Sequence, residues 1–177
     1  MSLDTNALNQ MLKEIIERKH RELQLGQQYN DIFSKIKDFE ANAIGQIGEE
    51  FARTILQNIT SIEQNPTQTI HNEYDIKTQN GIKIEIKTAR KGKNNDTFQF
   101  NGIEPRRNYQ YLLCIGICLD KVVYRLFKHE DIVYLHDTRK FYIQQNNFKK
   151  QLVKMNPDNL VNYKLTTNLK EIDKTIE

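Results

Sequence analysis

The chain has 177 residues, with 26 Lys and Arg against 23 Asp and Glu and a formal net charge of +3. That length suits one domain with a sizeable core, and no apolar run approaches the length of a membrane span. No signal-peptide pattern opens it, so the expectation is a soluble, cytoplasmic protein whose slight basic excess permits a polyanionic partner without establishing one.

From Asp4 to Leu25, Leu8, Met11, Leu12, Ile15, Ile16 and Leu23 recur at helical spacing, with Asp4 or Thr5 placed to cap the start. The opposite face is charged, and Glu14–Arg18 and Glu17–Arg21 stand at i,i+4 spacing, so it reads as solvated. After Gly26 a second helical pattern runs through Ile32, Phe33, Ile36 and Phe39. These helices would cover one side of a sheet or form a dimer surface, and the residues leave both open. Ile44, Ile47, Phe51 and Ile55 then mark an amphipathic helix that also carries Glu49 and Glu50. Asn65-Pro66 interrupts the chain beyond it.

The stretch Glu73 to Arg90 organises the rest. Two short segments of alternating character flank Gln79-Asn80-Gly81, and Asn-Gly between such segments signals a hairpin turn. Ile82, Ile84 and Ile86 fall on one face, and Lys83, Glu85 and Lys87 on the other. Glu73, Asp75 and Lys77 share a face in the first segment, so closing the turn brings Asp75 near Glu85, with Lys87 roughly 6–7 Å further along. Hard cations such as Mg²⁺ take one or two carboxylates and keep positions open for water and phosphate. A neighbouring ammonium can orient water or offset charge on a phosphate oxygen. The plain alternative is an exposed face of cross-strand ion pairs, each worth under about 1 kcal/mol.

Ala89-Arg-Lys-Gly-Lys-Asn-Asn-Asp reads as a basic loop after that strand, where Arg90, Lys91 and Lys93 would balance a polyanion that the acids repel. In Phe98-Gln-Phe-Asn, Gln99 and Asn101 alternate with two aromatics, so the amides would project together toward base edges or satisfy local backbone groups. Arg106 and Arg107 are open to the same two readings, phosphate clamp or plain surface. Tyr109 to Leu119 is the most apolar run and predicts a buried strand, with Lys121 to Phe127 as its neighbour. Cys114 and Cys118 fall in or beside it as reduced core thiols. Further on, Ile132–Leu135 and Phe141–Ile143 are candidate strands, Gln144–Asn147 a candidate loop, and Asn168 with Glu171 a capping-box start. His71 shares parity with Glu73 and Asp75, so a His-Glu-Asp metal set is conceivable, although Asp75, Glu85 and Lys87 already explain the acids. His20, His129 and His136 sit in charged or turn-like contexts with no case for catalysis.

The pattern Asp75, nine residues, then Glu85-Ile86-Lys87 resembles the signature of the PD-(D/E)XK nuclease superfamily. There an Asp opens one strand and Glu-x-Lys sits on the next, after a helix carrying a further Glu. Glu49 or Glu50 is the matching acid, and Gly45-x-x-Gly48-Glu49 resembles the family's helix more at Glu49. Tyr74 stands where the family usually has Pro, a replacement many members share. The resemblance covers residues 44–118. It implies an α/β (α+β) restriction-endonuclease-like fold, with a mixed central sheet flanked by helices. Residues 1–40 would be an N-terminal helical extension, 44–128 the catalytic core and 129–177 a C-terminal elaboration. Asp75, Glu85, the Ile86 carbonyl and Glu49 would hold Mg²⁺, with Mn²⁺ able to substitute, and Lys87 would position the attacking water. An amide-bearing segment after Glu-x-Lys also resembles several restriction endonucleases in outline. The implied function is a type II site-specific endodeoxyribonuclease acting on double-stranded DNA as a homodimer. The alternatives are a structure-specific repair or recombination nuclease, a DNA-binding module without catalysis, and a protein in which the acidic hairpin is merely structural. Losing Asp75 or Lys87 is expected to abolish cleavage and leave folding nearly intact.

Overall fold

A computed structural model of the chain describes residues 5–23, 39–59, 74–79, 81–91, 97–145, 148–151 and 161–162. Two helices come first, α1 (Thr5–Glu22) and α2 (Ala41–Ile59). The strands β1 (Ile76–Lys77), β2 (Lys83–Arg90), β3 (Tyr111–Ile117) and β4 (Val122–Lys128) follow. After a short 3₁₀ turn at His129–Asp131 come β5 (Ile132–Leu135), β6 (Lys140–Gln145), β7 (Phe148–Gln151) and β8 (Val161–Asn162). One sheet has the order β1-β2-β3-β4-β8, and β5-β6-β7 form a second. Strands β2 and β3 run parallel, and β1–β2, β3–β4 and β4–β8 pair antiparallel. This is the mixed sheet with helices that the α/β (α+β) expectation required. A parallel pair cannot be joined by a tight turn, so the chain between β2 and β3 is a crossover. That crossover includes the Phe98–Arg107 segment.

The main sheet buries both faces, which explains why its strands are so apolar. On one face Ile76, Ile84, Ile86, Leu113 and Ile115 meet Ile44, Ile47, Phe51 and Ile55 of α2. Leu8, Leu12, Ile15 and Ile16 of α1 belong to the same cluster. Helix α1 packs against α2 and joins this cluster through it. On the other face Ala89, Leu112, Cys114, Val123 and Phe127 are covered by Phe98, Phe100, Tyr109 and Ile143. Two glycines permit the closest approaches. A Cβ at Gly48 would lie 1.7 Å from the Thr88 hydroxyl, and one at Gly116 would lie 2.5 Å from the Phe98 ring. Glycine thus seats α2 on β2 and the crossover on β3.

The structure corrects several details. Leu23 lies just beyond α1 and is exposed, because the helix ends at Glu22 before Leu23 can turn inward. Arg18 pairs with Glu22 and with Glu50 of α2 instead of Glu14, whose carboxylate accepts a hydrogen bond from Gln10. His20 is buried, edge-on to Phe39, and not in a solvated charged setting. Ala89 and Arg90 are still in β2, so the basic loop starts later than its composition suggested. Gln144 and Gln145 complete β6 and are not loop. The helical pattern over 24–38, Asn65-Pro66, His71, Lys93, and the Asn168–Glu171 cap lie outside the described residues. Among the described residues no helix is long and apolar enough to cross a membrane.

Candidate active site

The hairpin sets the geometry. Ile76 pairs with Ile84 and Lys77 with Lys83, and continuing that register sets Asp75 opposite Glu85. Gly81 takes φ +89°, the left-handed conformation that glycine adopts without cost, and its N–H donates to the Thr78 carbonyl at 2.9 Å. Where β1 ends, the Asp75 side chain continues the ladder, with its Oδ2 accepting the Ile86 N–H at 2.7 Å. The backbone of Lys83 is engaged by Gln110 on the β3 side. Backbone groups alternate along a strand, so the N–H and carbonyl of Ile86 face the β1 side, beside the Asp75 carboxylate.

Glu85 projects from the opposite face to Ile84 and Ile86 and is only 3% exposed. Lys87 Nζ lies 2.8 Å from Glu85 Oε1, and Arg107 Nη1 lies 3.8 Å from the same oxygen. Lys87 is thus turned to the acids and not into the hydrophobic interior. Glu49 is held at 3.4 Å by Arg53, which also donates to the Asp75 carbonyl at 3.0 Å and so ties α2 to the hairpin. Glu50 points away to Arg18. Of the two candidate helix acids, Glu49 is the one whose charge acts on the site.

The Asp75 carboxyl is pushed up from 3.8 to about 6, first by burial and then by the charge of Glu85. Glu49 pushes the same way, while the Ile86 N–H and Lys87 oppose it. Among the described residues no three His, Cys, Asp or Glu side chains converge as a metal-holding group. The four sequence candidates therefore divide. Asp75, Glu85 and Lys87 come together, whereas Glu49 stays with Arg53 and acts through its field. Two carboxylates and the Ile86 carbonyl are an all-oxygen set, which suits Mg²⁺ or Mn²⁺ and does not need a third acid. Burial, and after it the charge of Glu85, disfavours the ionised Asp75 carboxylate, and a divalent cation held there would favour it. The residues present fit such an ion.

A stability prediction follows from the sign of that shift. Between pH 4 and pH 6 the folded metal-free chain holds a proton on Asp75 more often than the unfolded chain does. Stability contributed by this group therefore falls as pH rises through that window, with a penalty of up to about 3 kcal/mol above it. Asp75→Asn keeps an acceptor for the Ile86 N–H and carries no charge. The expected result is a higher melting temperature than wild type at pH 7.5 in chelator, with the difference vanishing at pH 4.

The nucleic-acid candidates separate as clearly. Phe98 and Phe100 are buried and Gln99 and Asn101 exposed, so the amides do project together. With Arg90, Thr88 and Thr97 they line a cavity of about 310 Å³ at the foot of α2. Lys91 is exposed just past β2. Arg106 is 91% exposed and paired with Glu104 at 3.1 Å in its own turn, whereas Arg107 turns inward to Glu85. Sequence reading missed Arg53, although its i,i+4 spacing from Glu49 was visible. It also missed Tyr109, whose buried hydroxyl has no hydrogen-bond partner among the described residues and whose pKa is raised by burial and then by Glu85. No one-dimensional pattern marked Tyr109 as anything but core. No family model matches the chain, and no curated protein matches it.

Proposed function

We propose that this chain is a divalent-metal-dependent endodeoxyribonuclease that hydrolyses phosphodiester bonds in double-stranded DNA. The observation that carries the reading is the hairpin placing the Asp75 carboxylate against β2 beside buried Glu85, with Lys87 Nζ 2.8 Å from Glu85. Hydrolysis forms a bond from a water oxygen to phosphorus and breaks a P–O bond to the sugar, whose oxygen leaves protonated. When bound, a divalent ion would supply Lewis acidity toward a phosphate oxygen and the water. Asp75, Glu85 and the Ile86 carbonyl would hold it. Lys87 orients the water with an N–H and offsets negative charge on phosphorus oxygens. Arg53 keeps Asp75 in place through its main chain, and Glu49 adds negative potential that favours a cation.

Within this class a type II site-specific enzyme is the first reading. Support comes from Gln99 and Asn101, two exposed amides on a segment fixed by buried aromatics, which suits base-edge contact. Cleavage of both strands of a palindrome would then need a homodimer. One observation favours a structure-specific repair or recombination nuclease instead. The cavity lined by Arg90, Gln99 and Asn101 has the size and polarity to take an unstacked nucleotide. Plain duplex plasmid and a branched duplex, each in Mg²⁺ and in chelator, separate the two. Discrete fragments from plasmid support the first reading and branch-dependent cutting the second. Absence of metal-dependent cutting of either substrate overturns the nuclease assignment.

A further inference from the structure

We infer that Arg107 is a second catalytic cation of this site, placed to bind a non-bridging oxygen of the scissile phosphate beside Lys87. The inference rests on the nuclease reading and assigns a role that the Asp75, Glu85, Lys87 pattern does not contain.

The turn carrying Arg107 is fixed from several sides. The Arg107 N–H donates to the Glu104 carbonyl at 3.1 Å, and the Tyr109 N–H donates to the Arg107 carbonyl at 3.2 Å. Glu104 accepts the backbone and side-chain N–H of Arg106. His129 reaches across from the end of β4, with its two ring nitrogens each 2.6 Å from a carbonyl oxygen, those of Tyr109 and Pro105. Its ring stacks on that of Tyr109 at 4.3 Å. The position of Arg107 is therefore set by the fold.

Arg107 and Lys87 approach the same oxygen, Glu85 Oε1, at 3.8 and 2.8 Å, so one phosphate group can span both cations. At 3.8 Å the guanidinium is attracted without being hydrogen-bonded. Glu104 also lies within its field, but among the described residues the side chain makes no hydrogen bond and no second ion pair, and its planar donors remain available for a phosphate. Arg106 is the contrast, its guanidinium committed to Glu104 in solvent.

Charge counting points the same way. Without a metal, Asp75 and Glu85 balance Lys87 and Arg107, and Glu49 balances Arg53. A divalent ion held by Asp75 and Glu85 would leave the site two charges positive. A phosphodiester carries one negative charge, and hydroxide attack raises it to two in the transition state. The site matches that state better than the substrate, which is the condition for raising kcat. Lys87 alone would leave it one charge short.

The test uses the full chain at saturating DNA and Mg²⁺. Arg107→Ala is expected to lower the single-turnover rate by about 10²–10³-fold, with Arg107→Lys recovering part through charge without the fork. Neither variant should shift the melting temperature appreciably, since the side chain is 41% exposed. A second readout needs no turnover. Calorimetric Mn²⁺ binding without DNA should tighten several-fold in Arg107→Ala, because Glu85 loses a competing cation. Cleavage by Arg107→Ala within about threefold of wild type overturns the inference alone. Unchanged or weaker Mn²⁺ binding overturns it too. A wild type that binds Mn²⁺ and cuts no DNA removes the nuclease reading and this inference together.

Discussion

Lys87→Ala is expected to lower the cleavage rate by about 10³-fold or more while DNA binding changes little. On the proposed mechanism two effects combine: the water would lose its orienting donor, and the transition state would lose the nearer of two cations. The structure also revises the expectation that folding would stay nearly intact. Glu85 is almost fully buried, and Lys87 supplies its only direct charge-assisted hydrogen bond among the described residues. Removing one partner of a buried pair costs more than the pair was worth, because the other charge stays desolvated. Arg107 at 3.8 Å compensates partly, so a loss of about 2 kcal/mol is expected in the metal-free chain, lowering the melting temperature by roughly 4–8 °C. Glu85→Gln/Lys87→Ala should regain most of that stability and none of the activity. Mg²⁺ should likewise raise the melting temperature of Lys87→Ala by more than that of wild type. A Lys87→Ala protein that cuts DNA at the wild-type rate would exclude the role.

The hairpin was legible because its information is local. Gln79-Asn80-Gly81 between two alternating segments marks the turn, and the register in which Ile76 meets Ile84 puts Asp75 opposite Glu85. The alternation of Phe98 and Phe100 with Gln99 and Asn101 was readable for the same reason. Partner choice between elements was not. Arg18 had a good local partner in Glu14, yet the packing of α1 on α2 offered Glu50, and the long side chain took it. Arg106 and Arg107 are identical neighbours in sequence, and only the turn braced by His129 sends one outward and one to Glu85. Glu49 and Glu50 differ equally little in pattern. What separates them is which side of α2 faces β2, and Gly48 decides that.

Gly48 therefore carries the second large prediction. In an exposed helix, Ala is favoured over Gly by about 1 kcal/mol. At position 48 the added Cβ would lie 1.7 Å from Thr88 Oγ1 and 2.6 Å from Thr88 Cβ and Cγ2, distances that real atoms do not reach. Thr88 lies in β2, one residue past Lys87 and in register with Ile115 of the buried strand β3, so it cannot retreat without breaking that ladder. Helix α2 must move outward instead, and such overpacking costs about 1–3 kcal/mol, here at the upper end. Gly48→Ala should thus be destabilised by about 2 kcal/mol net, read as a lower melting temperature of roughly 4–8 °C. The displacement also withdraws Glu49 and Arg53 from Asp75, so cleavage should fall by about tenfold even where the variant is fully folded. Gly48→Ala/Thr88→Ala should recover part of both losses, since Oγ1 and Cγ2 are gone but the Cβ contact remains. Gly45, three residues earlier on the same helix, is the control. A Cβ there meets nothing within 4 Å, so Gly45→Ala should raise stability by about 0.5–1 kcal/mol. Opposite signs at two glycines one helical turn apart would establish that packing against Thr88, and not helix propensity, holds the Glu49–Arg53 pair over the hairpin.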